Sequence, residues 1–136
     1  MSDTLRLEIV TPQATAFAED VHMVTLPAID GEMGVYPHHM RLITQIVPGE
    51  IVVTKDGAER SFAVGEGLVE ITATRVSIVT DMAIQAEQID EAMVEAARAR
   101  AAARLADKIS DEEVASVNAS LARSLAQLQI KRRKRS

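Results

Sequence analysis

Over residues 5–80 the apolar positions recur with a period of two, which is typical of half-buried β-strands. In LRLEIVT, every second residue from Leu5 to Ile9 is aliphatic and the residues between them are charged. Similar short runs are VHMVTLP, RLITQIV, GLVEITA and RVSIVTD. In EIVVTKDGAERSFAV, Asp56-Gly57 separates two β-rich arms and predicts a two-residue hairpin turn. Many short strands with frequent turns predict a sandwich or barrel.

The period changes to a helical one near Ile89. Residues 89–108 contain neither glycine nor proline and are rich in Ala, Arg and Glu, which favour helices. Alanines recur there at spacings of four and three, so they form a stripe that we expect to let a second helix approach closely. The members of this alanine stripe are Ala92, Ala96, Ala99, Ala103 and Ala106.

A second helix is predicted after a short break at KISDEE. Ser110 is a candidate N-cap, and Glu113 three residues later completes a capping-box pattern. The aliphatic stripe of this helix is formed by Val114, Val117, Leu121, Leu125 and Leu128. Two helices with so short a connection should fold back antiparallel. Such a hairpin is marginal alone, so we expect it to rest on the sandwich or to rearrange when offered a better surface.

Composition limits the classes of function. A chain of 136 residues suits one compact domain with an appendage. With only 2% aromatic residues, the core must be aliphatic. The absence of cysteine excludes disulfides and thiolate metal sites. No apolar run approaches the roughly 20 residues that span a bilayer, and no signal-peptide pattern is present, so we expect membrane association only through a partner.

Charge is distributed unevenly along the chain. The net charge is −5, yet residues 1–88 carry five Lys and Arg against thirteen Asp and Glu. Residues 89–136 carry ten against seven, and five of those ten form the terminal KRRKR. The two parts are therefore expected to face different partners.

The stretch GEMGVYPHHMRLITQIVPG, residues 31–49, concentrates glycines, prolines and two adjacent histidines. A metal site built from His38, His39 and Glu32, with His22, is one reading of it. Adjacent side chains of an extended segment point to opposite faces, so His38 and His39 cannot readily share an ion. No HxH or HxxxH spacing occurs. We therefore expect no metal, and histidines that form ordinary surface hydrogen bonds.

Catalytic and nucleic-acid-binding patterns are absent from the sequence. There is no cysteine nucleophile and no G-x-S-x-G. The GEG at residues 65–67 lies between predicted strands, where a bend or bulge explains it better than a phosphate loop. The basic tail lacks the aromatic residues on which bases stack. We expect no catalytic residue and no nucleic-acid partner.

The stretch at 31–49 resembles the signature G-E-(L/I)-G-(I/V)-(Y/L)-P-x-H-x-x-L-(I/L/V)-T-x-(I/L)-x-P-G of the epsilon subunit of F-type ATP synthase, the bacterial equivalent of the mitochondrial delta subunit. LEIVTP, GLVEI, VTDMAI, the ID at residues 89–90 and LARSLAQLQI follow in the family's order. The chain departs at HHMRL, where the family more often has GHAPL. The resemblance implies an α+β protein: a ten-stranded β-sandwich over 1–86, followed by an antiparallel two-helix hairpin over 87–136.

The resemblance also implies a function. The family's subunit is a non-catalytic part of the central stalk that binds the gamma subunit and the c-subunit ring. Its hairpin can extend toward the alpha and beta subunits and inhibit ATP hydrolysis. Such a subunit lies at the cytoplasmic face of the bacterial plasma (inner) membrane, attached only through the complex. The alternative function, from another class, is a free-standing sandwich that binds a small ligand and carries a helical regulatory tail.

Residues acquire expected roles from the same resemblance. Glu32 and His39 match the positions that face the c ring. Since the family's beta subunit carries an acidic loop near the stalk, the basic residues of the second helix are the expected inhibitory contacts. These are Arg123, Lys131, Arg132, Arg133, Lys134 and Arg135.

Some bacterial members bind ATP between the two helices through I/L-D-x-x-R-A. Ile89 and Asp90 match this motif, but Met93 stands in place of the arginine. Arg100 and Arg123 keep two further basic positions of the family, whereas a glutamine stands where another arginine is common. A charge-assisted hydrogen bond contributes about 1.5–3 kcal/mol. We therefore expect no tightly bound nucleotide and no cofactor.

Overall fold

The computed structural model describes residues 3–38, 41–107 and 109–135, without the side chains of Lys134 and Arg135. It contains ten strands, a 3₁₀ turn at Ala86–Gln88 and two α-helices. The strands are β1 (Leu5–Val10), β2 (Thr15–Val21), β3 (Met23–Ala28), β4 (Gly31–Val35), β5 (Leu42–Ile46), β6 (Gly49–Lys55), β7 (Ala58–Val64), β8 (Gly67–Ile71), β9 (Arg75–Thr80) and β10 (Ala83–Gln85); the helices are α1 (Glu91–Leu105) and α2 (Asp111–Arg135). The predicted fold class is confirmed.

The strands hydrogen-bond in the order β10-β7-β6-β3-β5-β8-β9-β1-β2, and β4 pairs with β3. Strand β3 pairs with β6 through Met23–Thr25 and with β5 at Ala28, so it links the two halves of the sheet. The alternation from Leu5 to Ile9 faces inward as predicted, with both of these residues at most 2% exposed. The core between the two layers is aliphatic except for an edge-to-face pair of phenylalanines, Phe17 and Phe62.

The predicted hairpin turn joins β6 to β7. Asp56 has φ 52° and Gly57 has φ 79°, the two positive angles that this turn requires. His22 supports the turn from the neighbouring strand connection, because its Nδ1 accepts a hydrogen bond from the Asp56 amide at 3.1 Å. This histidine therefore has a structural role, as an ordinary hydrogen-bonding residue.

The GEG segment joins β7 to β8 and contains a close backbone contact. A Cβ at Gly67 would lie 2.0 Å from the carbonyl oxygen of Val79, a backbone atom of the paired strand β9. Only glycine fits at that position without moving the sheet. The interpretation of GEG as a bend between strands is confirmed.

Both helices are capped by side chains. Asp90 caps α1, since its carboxylate accepts a hydrogen bond from the Met93 amide at 3.2 Å. Ser110 precedes α2, and its Oγ accepts from the Glu113 amide at 3.2 Å, as predicted. The Glu113 carboxylate also accepts a hydrogen bond from Arg104 of α1 at 2.7 Å, which ties the two helices together near their connection.

The predicted packing of the hairpin is partly wrong. The alanine stripe lies on the exposed side of α1, and Ala97 and Ala101 line the groove to α2 instead. In α2, Val117 and Leu128 are buried as predicted, but Leu125 is 51% exposed. Alanine buries so little area that its spacing does not determine which side of a helix faces the protein.

The hairpin rests on the sandwich, one of the two arrangements that the sequence left open. Helix α2 contacts β6, β7 and the 3₁₀ turn. A small apolar cluster forms beneath it from Ala63, Ala86, Ile89 and Ile130. Ala63 belongs to β7, whose neighbouring residue Phe62 points into the core, so this strand is buried on both faces. Neither helix, within the described residues, is long and apolar enough to cross a bilayer.

Candidate functional site

An exposed apolar patch lies on the outer face of β5, β8 and β9. Leu68 of β8 is 54% exposed and pairs directly with Val79 of β9, which is 60% exposed. A groove of about 530 Å³ continues from Leu68 to Ile29 and Val47, and Ile43 on β5 is 65% exposed. We call these five residues the outer apolar patch. Contiguous exposed aliphatic side chains of this kind mark surfaces that bind another protein.

The sequence does contain a signal for this patch that the strand prediction did not use. In GLVEI and RVSIVT, aliphatic residues occur in both phases of the alternation, as in Leu68-Val69 and Ile78-Val79. Val69 and Ile78 are fully buried, so the other member of each pair must point outward. Aliphatic residues at the strand positions that normally carry polar, outward-facing side chains therefore indicated an exposed apolar surface.

A second candidate surface is the edge formed by β4. This strand pairs with β3, and no further strand pairing is found for β4 among the described residues. Glu32 is exposed near the start of β4, opposite Pro27 of β3. Tyr36, just beyond the end of β4, is 60% exposed. The edge thus presents a carboxylate and an aromatic hydroxyl along one line.

His38 follows Tyr36 and Pro37, at the end of this edge that lies away from Glu32. The His38 amide donates to the carbonyl of Ala73 at 2.7 Å, and its Nε2 lies 3.9 Å from the Asp3 carboxylate. His39, the predicted partner of Glu32, lies outside the described residues. Within those residues, no group of three or more His, Asp or Glu side chains is arranged to hold a metal ion.

The groove between α1 and α2 carries several cationic and hydroxyl groups. Its volume is about 620 Å³, and its lining includes Arg100, Arg104, Arg123, Ser116, Ser120, Ser124 and Gln127. Of the four candidate nucleotide contacts, Arg100 and Arg123 line this groove. Ile89 is buried in the apolar cluster, and Asp90 is the cap of α1. The motif residues thus have structural roles in this folded hairpin, and the groove arginines lie apart from them.

Three arginines of α2 form ion pairs with carboxylates elsewhere in the chain. Arg123 donates to Asp81 at 3.0 Å. Arg132 donates to Glu91 at 2.7 Å and to Glu95 at 3.2 Å, and Arg133 donates to Glu50. The side chain of Lys131 is half-buried, whereas those of Lys134 and Arg135 lie outside the described residues.

The electrostatic effects agree with these contacts. The hydrogen bond to Glu91 raises the pKa of the Arg132 guanidinium. The pKa of Glu95 is lowered, first by its hydrogen bond to Arg98 and further by Arg132. The carboxylates that hold the tail arginines were not predicted from the sequence, because they are distant from the tail along the chain.

Comparison with known proteins identifies the family. Residues 4–86 match the family model described as ATP synthase, Delta/Epsilon chain, beta-sandwich domain. The ATP synthase epsilon chain of Herpetosiphon aurantiacus is 35% identical over 131 residues, covering 96% of each chain. The ATP synthase epsilon chain of Pelotomaculum thermopropionicum is 44% identical over 109 residues, covering 79% of this chain and 81% of that one.

Solved structures share the fold at lower identity. A chain of the Euglena gracilis mitochondrial ATP synthase, solved as OSCP/F1/c-ring, matches with a TM-score of 0.76 and 21% identity. That match covers 93% of this chain and 80% of the other. A chain of the Tetrahymena thermophila mitochondrial ATP synthase central stalk and c ring matches with a TM-score of 0.61 and 9% identity. The second match covers 96% of this chain and 98% of that chain.

Proposed function

This chain belongs to the ATP synthase delta/epsilon family, and from that premise we propose that it joins the rotor of the enzyme through two surfaces of its sandwich. It is a non-catalytic subunit of the central stalk of a rotary ATP synthase. The outer apolar patch docks the gamma subunit, whereas Glu32 on the β4 edge and His39 meet the c ring. The complex holds the subunit at the cytoplasmic face of the bacterial plasma membrane.

The outer apolar patch is the observation that carries this proposal. Its aliphatic side chains are more than half exposed at Ile29, Ile43, Leu68 and Val79. A protein partner that covers them removes this area from water, and each square ångström contributes about 25 cal/mol. A c ring presents polar loops at its surface, so the β4 edge, with its carboxylate, suits that second partner better than the patch does.

The proposal divides the chain between two tasks. Residues 1–86 dock the rotor, and residues 87–136 form a regulatory domain that extends toward the alpha and beta subunits and slows ATP hydrolysis. The basic residues of α2 make that inhibitory contact. This role is supported by the distribution of charge, since residues 89–136 carry a net positive charge and the sandwich is strongly acidic.

Leu68→Asp tests the gamma surface. We expect this variant to lose co-purification with the gamma subunit while the sandwich stays folded, because a carboxylate would be buried without a partner at the interface. Leu125→Asp is a matched control, since Leu125 is exposed to nearly the same extent, 51% against 54%, on α2. Retention of gamma by the Leu68→Asp variant, with circular dichroism unchanged in both, would contradict the assignment of this surface.

Glu32→Lys tests the c-ring edge. Reversing the charge at an exposed position should leave the fold intact and weaken the coupling between ATP hydrolysis and proton pumping in membrane vesicles. Glu59→Lys serves as the control, because Glu59 is exposed at the β6–β7 hairpin, away from β4. Equal proton pumping by the two variants would show that Glu32 makes no functional contact.

A further inference from the structure

We propose that Arg123, Arg132 and Arg133 form an ionic latch that holds α2 against the sandwich and against α1, and that the chain's own carboxylates thereby compete with the partner surface for the same arginines. The effect on ATP hydrolysis rests on the inhibitory role proposed above. The latch itself rests only on contacts within this chain. Its acceptors are Asp81, Glu50, Glu91 and Glu95.

The first contact of the latch lies where β9 turns toward β10. Arg123 donates to Asp81 at 3.0 Å, in a corner bordered by Gly65. A Cβ at Gly65 would lie 1.8 Å from Asp81 Oδ1 and 3.2 Å from Arg123 Cδ. The absence of a side chain at Gly65 is therefore what makes room for this ion pair.

The second contact lies near the end of α2. Arg133 donates to Glu50 at the start of β6, and Arg132 bridges Glu91 and Glu95 on the first turns of α1. The accepting side chains of Glu50 and Glu91 are only 21% and 22% exposed. Arg133 thus joins α2 to the sandwich, while Arg132 joins it to α1.

Each of these arginines already donates to a carboxylate in the folded hairpin. In Arg123, one terminal nitrogen donates to Asp81 and the other donates to Ser120 at 3.0 Å. In Arg132, Nε and one terminal nitrogen serve two carboxylates. In the folded hairpin these guanidinium groups are held against the chain's own carboxylates, so pairing with an acidic surface of another subunit requires the present contacts to be exchanged. Folding down and inhibiting therefore exclude each other at these residues.

The latch is weak enough to open. Arg123 is 30% exposed, Arg132 54% and Arg133 58%, so water and salt screen all four ion pairs. The apolar cluster beneath them includes two alanines among its four buried residues. Raising the salt concentration should accordingly favour the open hairpin of the isolated chain.

A distance measurement on the full chain tests the latch. The sequence contains no cysteine, so spin labels can be placed at Ala58→Cys and Leu125→Cys without removing any native thiol. Asp81→Asn with Glu50→Gln removes the sandwich-side acceptors and leaves every arginine in place. We expect the label-to-label distances to lengthen and broaden in this double variant, and at high salt in the parent chain.

Glu70→Gln with Glu87→Gln is the matched control, because both are exposed carboxylates outside the ion pairs described for the tail. Distances in the Asp81→Asn, Glu50→Gln variant that equal those of this control would overturn the latch. In the assembled enzyme, the same variant should show lower ATP hydrolysis, since Arg123 and Arg133 are released from the sandwich. Longer distances with unchanged hydrolysis would support the latch and count against the proposed inhibitory role.

Discussion

Phe62→Ala is expected to lower the free energy of unfolding of the isolated chain by about 3–5 kcal/mol. Phe62 is 1% exposed and lies in β7. Its ring meets Phe17 edge to face, with centroids 5.3 Å apart, and the Arg60 guanidinium lies over both rings. Truncation removes the ring against which Phe17 packs and leaves a cavity, and the surrounding structure relaxes only partially around such a cavity. Urea denaturation followed by circular dichroism measures the change.

Leu68→Ala is the control for this prediction. It also truncates a large apolar side chain of the sandwich, but Leu68 is 54% exposed, so its loss should change the free energy of unfolding by no more than about 0.5 kcal/mol. Equal effects of the two substitutions would mean that Phe62 does not anchor the core. A large loss on Leu68→Ala alone would mean that the outer apolar patch stabilises the isolated sandwich.

Periodicity predicted the strands that bury one face. From Leu5 to Ile9 the alternation is complete, and the Asp56-Gly57 turn fixes the register of β6 with β7. Strands β2 and β4 gave no such signal. TAFAEDV and GEMGV carry too few apolar residues in one phase, and their strand conformation comes from pairing with β1 and β3. The resemblance, and not the pattern, predicted ten strands.

The orientation of the helices needed information that local spacing does not contain. The alanine stripe has the correct period, yet α1 turns it toward solvent. Larger side chains decide the rotation, because Val94 packs against the cluster that contains Ile89 and Ile130. An amphipathic stripe made of alanine therefore predicts a helix but not the side that packs.

The ion pairs of the tail could not be predicted either, because local spacing contains no information about residues that are far apart along the chain. Arg123 is separated from Asp81 by 42 positions, and Arg133 from Glu50 by 83. The sequence shows a basic tail and an acidic sandwich, which predicts attraction but no specific pairs. Glu32, unlike these ion pairs, was a candidate from the sequence, because it matches a position of the family motif. The structure shows its side chain exposed on β4.

Deletion of residues 110–136 is expected to raise ATP hydrolysis by the assembled enzyme severalfold. The deletion removes α2 with every basic residue from Arg123 onward, and thus every proposed inhibitory contact. The effect should be largest at low salt, because exposed charges are screened beyond about 8 Å at physiological ionic strength. Initial rates of phosphate release, measured over a salt series, provide the test.

The deletion also uncovers Ala63, Ala86 and Ile89, which Ile130 covers in the folded hairpin. A second variant distinguishes the effect of exposing these apolar residues from the effect of removing the positive charges. Replacing Arg123, Arg132 and Arg133 with glutamine keeps α2 and its apolar residues but removes the guanidinium groups. Since these arginines serve both the latch and the inhibitory contact, we expect hydrolysis to rise in this variant, by less than in the deletion, and its salt dependence to weaken, because Lys131, Lys134 and Arg135 remain. If neither variant raises hydrolysis, the tail is no inhibitor, and its arginines serve only to hold the hairpin folded.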